Sequence, residues 1–177
     1  MGPRSVVRAG AILALGLLAA CELVLPGRPS AVPEIEFPNE PQALYKTGRA
    51  SIALSDGSSA ELGRMEPDSG FDPEVGALAG WTDDTGWSLR LSNPVMTDGV
   101  AAPISIRLVR EVDGSLWTTG SAAECQVDLE RADTAGIKGT ATCSGLRWEP
   151  EARAIGEEPP NPGPFDADIL FEAQPPI

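Results

Sequence analysis

Apolar and polar residues alternate with a period of two between Cys125 and Cys143. Cys125, Val127 and Leu129 alternate with Gln126, Asp128 and Glu130; Ile137, Ala141 and Cys143 fall on alternate positions, with Gly139 between them. This period marks a strand with one buried face. Folding the segment as a hairpin about Thr134 sets Cys125 opposite Cys143, Val127 opposite Ala141, Leu129 opposite Gly139 and Arg131 opposite Ile137. Nearly every apolar side chain then shares one face, and the two thiols meet. Directly paired positions bring Cβ atoms to about 4.5–5.5 Å, and a small further approach reaches disulfide distance. One register thus satisfies the hydrophobic pattern and predicts a Cys125–Cys143 bridge.

The same period recurs elsewhere. Ala50, Ile52 and Leu54 alternate ahead of Asp56-Gly57, a hairpin-turn signal, and Ala60 and Leu62 are expected opposite Leu54 and Ile52. Residues 64–75 are turn-rich, lack a period and read as a loop. Residues 77–91 predict a second hairpin, in which Trp81 pairs with Trp87, Ala79 with Leu89 and Ala77 with Leu91. Ile104, Ile106 and Leu108 mark a further strand. It turns at Val112-Asp113-Gly114-Ser115 into a strand over residues 116–123, which runs almost unbroken into Cys125. Residues 149–164 hold Pro150, Pro159, Pro160, Pro162 and Pro164 and read as a proline-rich loop. Phe165, Ala167, Ile169 and Phe171 alternate with Asp166, Asp168 and Glu172 in a closing strand. Short strands with glycine turns, and no helical window beyond the N-terminal leader, predict an all-β domain over residues 48–177: a small antiparallel sandwich or barrel.

The N-terminus follows another logic. Arg4 and Arg8 precede an uninterrupted apolar and glycine run over residues 9–20, the layout of a secretory signal. The run is far shorter than the roughly 20 residues that span a bilayer. Leu18-Ala19-Ala20-Cys21 follows. This tetrapeptide resembles the lipobox of the bacterial lipoprotein signal-peptide family, and the resemblance covers residues 1–21. It implies that a diacylglyceryl group joins the Cys21 sulfur, that cleavage follows Ala20, and that acylated Cys21 becomes the new N-terminus. Its implied location is the cell envelope: the outer side of the cytoplasmic membrane, or the outer membrane, with the lipid as anchor. Three cysteines in an exported chain leave one unpaired. Lipidation of Cys21 accounts for it and leaves Cys125 and Cys143 to pair in an oxidising compartment.

Between the leader and the domain, residues 21–47 form a stem. Pro26, Pro29, Pro33, Pro38 and Pro41 recur at short intervals, which disfavours helix and interior strand and favours extended, semi-rigid chain.

Charge and composition narrow the function. The chain carries 13 Lys plus Arg against 26 Asp plus Glu. With Arg4 and Arg8 assigned to the leader, the remainder has 11 basic residues and a net charge of −15. That charge opposes nucleic acid and anionic headgroups. The chain has no histidine, which removes Ser-His-Asp and Cys-His catalysis and the commonest zinc and haem ligand. No cofactor, metal site or catalytic set is expected. Trp81 and Trp87, flanking Asp83 and Asp84, suggest an aromatic platform for sugar rings; core packing is the competing reading. The Glu66, Asp68, Asp72 and Glu74 run, like Asp83-Asp84, suits Ca²⁺ by donor type but does not match the EF-hand spacing. A hydrolase would need two carboxylates facing across a cleft. The leading expectation is a non-enzymatic, membrane-anchored surface lipoprotein with a binding or structural role, its partner an envelope protein or a glycan. A carbohydrate- or solute-binding module stands second and an acidic-pair hydrolase third.

Overall fold

The structure is a computed structural model and describes residues 41–95, 103–119, 124–151, 161 and 163–177. The leader, Cys21 and nearly all of the stem lie outside these residues. The described chain forms thirteen strands: β1 (Ala43–Leu44), β2 (Thr47–Leu54), β3 (Ser59–Leu62), β4 (Arg64–Met65), β5 (Gly70–Asp72), β6 (Gly76–Thr82), β7 (Trp87–Pro94), β8 (Ser105–Val112), β9 (Ser115–Thr119), β10 (Glu124–Asp133), β11 (Gly136–Leu146), β12 (Trp148–Pro150) and β13 (Phe165–Gln174). Every pairing among them is antiparallel.

Two sheets pack face to face. One runs β1-β5-β6-β7-β8-β9-β12, with β4 also on β6; the other runs β10-β11-β13-β2-β3. The all-β expectation resolves to a sandwich, with no closed barrel. The chain changes sheet at short corners: Tyr45-Lys46 between β1 and β2, Gly63 between β3 and β4, and Arg147 between β11 and β12. Such bends let one strand direction serve both layers.

The core lies between the sheets. Leu89, Leu91 and Leu108 from one layer and Ile52, Ile137, Ile169 and Phe171 from the other are 0–3% exposed. Aromatic pairs bridge the layers: Trp81 with Phe171 at 5.8 Å between ring centroids, and Trp148 with Phe165 at 5.3 Å. Trp81 Nε1 also donates to the Glu172 carbonyl at 3.1 Å, so the one polar atom of this buried indole is satisfied.

The β10–β11 hairpin keeps the expected register at Cys125↔Cys143, Val127↔Ala141 and Leu129↔Gly139. The disulfide is formed, with S–S at 2.01 Å and Cα–Cα at 4.0 Å. Ile137, Ala141 and Cys143 are buried, Val127 and Leu129 pack half-buried against the core, and Gln126, Asp128 and Glu130 are exposed. One pair differs. A bulge between Leu129 and Arg131 sets Ala132, not Arg131, opposite Ile137. The extra residue returns an apolar side chain to the core face and leaves Arg131 exposed.

The other two hairpins are displaced from the expected register by two residues along one strand. Ile52 faces Ala60 and Ala50 faces Leu62; Trp81 faces Leu89 and Ala79 faces Leu91. An aspartate closes each turn. Asp56 Oδ1 accepts from the Ser58 amide at 2.8 Å, and the Leu54 amide donates to the Ser58 carbonyl. Asp83 Oδ1 accepts from the Thr85 and Trp87 amides at 2.8 Å each, and the Asp83 amide donates to the Trp87 carbonyl. These side chains mimic turn backbone and fix where each turn closes. A shift of two keeps every side chain on its face, so burial follows the pattern although the partners differ.

Four further boundaries move. Residues 64–75, read as loop, contain β4 and β5, which lie end to end along β6. β9 and β10 belong to different sheets rather than to one continuous strand, with residues 120–123 outside the described ones. The domain starts before residue 48. β1 pairs with β5, Tyr45 is fully buried, and its hydroxyl donates to the Asp133 carbonyl at 2.7 Å. Residues 149–164 begin not as loop but as the end of β12, paired with β9.

Candidate functional site

Trp81 and Trp87 do not form a surface platform. Trp81 is 0% and Trp87 7% exposed. Both lie on the inner face of their hairpin because inner-facing positions of β6 and β7 alternate through Ala77, Ala79 and Trp81 and through Trp87, Leu89 and Leu91. Trp87 packs on Trp148 at 5.9 Å, and the Arg110 guanidinium sits 4.4 Å from the centre of its ring. Packing and cation–π contact thus occupy the faces a sugar would need.

Asp83 and Asp84 have structural roles. Besides its backbone contacts, Asp83 accepts from the Thr85 hydroxyl at 2.6 Å. Burial pushes its carboxyl up, but the Thr85 hydroxyl, the Trp87 and Thr85 amides and the Arg110 charge outweigh burial and hold it below 3.8. Asp84 pairs with Arg64. The acidic run is likewise dispersed. Glu66 pairs with Arg90 Nε at 2.7 Å, Asp68 lies 3.9 Å from the same guanidinium, and Asp72 accepts from the Glu74 amide at 2.8 Å. Among the described residues, no group of three or more acidic or cysteine side chains is placed to hold a metal ion.

The structure adds one surface feature that the hydrophobic pattern had passed over. On the outer face of the five-stranded sheet, a groove of about 350 Å³ has Leu170, Ser51 and Thr140 among its lining residues. Leu170 is 59% exposed on the central strand, with Thr140 and Ser51 directly opposite on its two neighbours. One side carries alternating charges across four strands: Glu130 with Lys138, and Glu172 with Arg49 at 2.7 Å. Glu61 lines the groove as well. The signal in the sequence was a break in phase: Asp166, Asp168 and Glu172 hold the outward positions of β13, and Leu170 interrupts them. An exposed leucine flanked on one side by paired charges has the makings of a small contact surface.

Comparison with known protein families, with curated proteins and with solved structures found no match.

Proposed function

We propose that this protein is an exported bacterial lipoprotein, held at the envelope membrane by lipid on Cys21, whose β-sandwich has a binding or structural role rather than a catalytic one. The observation that supports this reading best is the division of the cysteines. Cys125 and Cys143 are bonded to each other inside the sandwich, which leaves Cys21, directly behind the apolar leader, as the third cysteine of the chain. A structural disulfide belongs to an oxidising compartment, and the leader supplies the route there. Two or more acyl chains on one cysteine give stable anchorage. The absence of histidine and the assignment of acidic side chains to turns and ion pairs favour binding over catalysis.

The test is metabolic labelling with a palmitate analogue, followed by fractionation. The native chain is expected in the membrane fraction and labelled. Cys21→Ser is expected to lose the label, and after release of its leader the domain should become soluble. Label that persists in Cys21→Ser, or a native chain that is processed but unlabelled, defeats the proposal.

A further inference from the structure

Two Asp-Gly turns of the sandwich differ in how their reactive groups are held. At the β2–β3 turn, Asp56 Oδ1 accepts from the Ser58 amide at 2.8 Å and its hydroxyl at 2.6 Å, and Oδ2 accepts from Asn161 Nδ2 at 3.0 Å. The Gly57 amide donates to the Leu54 carbonyl at 3.0 Å. The Ser58 hydroxyl, then its amide, hold the Asp56 carboxyl below the ordinary 3.8, against a small opposing effect of burial. At the β8–β9 turn, Val112 faces Ser115 across Asp113-Gly114. Asp113 has φ 51° and Gly114 φ 81°, the two left-handed residues of a type I′ turn. Both are exposed. Among the described residues, neither the Asp113 carboxylate nor the Gly114 amide has a hydrogen-bond partner. Nothing lies within 4 Å of the position a Cβ would take on Gly114.

We propose that Asp113 is a site of spontaneous backbone isomerisation, at which the folded protein acquires isoaspartate, while Asp56 is protected. The Gly114 amide nitrogen attacks Cγ of the protonated Asp113 carboxyl, forming an N–Cγ bond. The Cγ–O bond breaks, and one water leaves with the carboxyl oxygen and the amide proton. The product is a five-membered cyclic imide. Water then adds to one of the two ring carbonyls. Opening at the main-chain carbonyl leaves the chain running through Cγ as isoaspartate; opening at Cγ restores aspartate. The water lost is regained, so composition and oxidation state are unchanged and no enzyme is required. At Asp56 both partners are engaged: the carboxylate accepts three hydrogen bonds and the glycine nitrogen donates one. Room around the glycine does not separate the two turns, because Gly57 is equally open; the hydrogen bonds do. The product adds one main-chain atom to a two-residue turn and so loosens the Val112–Ser115 closure of β8 on β9.

The experiment ages the full-length protein, purified in detergent, at neutral pH and raised temperature. The sample is then reduced and digested with trypsin, and isoaspartate is assigned with isoaspartyl methyltransferase. Residues 50–64, 91–107 and 111–131 fall in separate peptides, so the third Asp-Gly, Asp98-Gly99, which lies outside the described residues, does not confuse the reading. The methyl-accepting signal is expected in peptide 111–131 and not in 50–64. Asp113→Glu, which keeps the charge but cannot close the five-membered ring, is expected to abolish it. Ser58→Ala, which removes one of the three hydrogen bonds on the Asp56 carboxylate, is expected to raise the signal in 50–64. An unmodified 111–131 peptide, equal modification of 50–64 in the native chain, or a signal that survives Asp113→Glu overturns the proposal.

Discussion

The two sheets bury their central strands in different ways. Along β13, in the middle of the five-stranded sheet, inward residues are buried and outward ones stay largely in solvent from Phe165 to Gln174. Along β6, in the other sheet, every residue from Gly76 to Trp81 is buried. The difference lies outside the strands. The outer face of β13 meets water, whereas at Gly80 that of β6 lies under the Glu66 side chain, from the segment joining β4 to β5. There Ser69 is fully buried; its hydroxyl accepts from the Gly80 amide at 3.0 Å, and the Glu66 amide donates to the Gly80 carbonyl at 2.8 Å. The Glu66 carboxylate stands where a Gly80 side chain would be. Period-two alternation therefore reports one wet face, and its loss reports a cover.

The contrast can be broken most severely at the residue that joins the layers. Trp81→Ala removes the largest fully buried side chain, its contact with Phe171 and its bond to the Glu172 carbonyl. The expected loss is about 3–5 kcal/mol, read by denaturant titration; a loss no greater than for a surface substitution would return the indole to the exterior. Opening the disulfide acts on one sheet alone. The bridge closes a loop of 18 positions, and Cys125→Ala with Cys143→Ala should cost about 3 kcal/mol by the chain-entropy argument. Because the hairpin turn already restricts the unfolded chain, that figure is an upper bound, checked by thermal unfolding of the double variant against the oxidised protein.

Gly80→Ala tests the cover itself. The added methyl group meets the Glu66 carboxylate, and overpacking of this kind costs about 1–3 kcal/mol; adding Glu66→Ala should recover part of it. A smaller effect is expected in acid. Because hydrogen bonds and Arg110 hold the folded Asp83 carboxyl below 3.8, its stabilising contribution is complete above that value. It is lost as pH falls through the lower folded value. Asp83→Asn should therefore lower stability across the neutral range, with the difference from the native chain vanishing as pH falls through the folded value, so that the acid limb of its stability–pH profile is flatter. The smallest change belongs to the uncovered face. Leu170→Ser, at 59% exposure, should shift stability within about 0.5 kcal/mol. A larger loss there would mean that the five-stranded sheet is covered after all.

How much could be read in advance differs from hairpin to hairpin. At β10–β11 the two cysteines bounded the register, and only the bulge at Arg131 escaped, because alternation does not count the residues a turn requires. At β2–β3 and β6–β7 the face was legible and the partner was not. Asp56 and Asp83 set where their turns close through side-chain bonds that leave the hydrophobic period unchanged. β4 and β5 were illegible because two or three residues cannot display a period. The groove around Leu170 was legible only as an irregularity in β13.

Alternating residues, turn dipeptides and cysteine placement were sufficient for an all-β domain, the inward face of its main strands and the bonded pair Cys125–Cys143. These follow from local chemistry: pleat period, turn preference and the reach of two thiols on facing positions. Tertiary structure alone decided which sheet each strand joins, that Trp81 and Trp87 lie inside rather than on a platform, and that Glu66, Asp68, Asp72, Asp83 and Asp84 serve turns and arginines. Each of these depends on what approaches a face from a distant part of the chain: Glu172 on Trp81, Arg90 on Glu66, Ser69 on Gly80. A period along one strand carries no information about such neighbours.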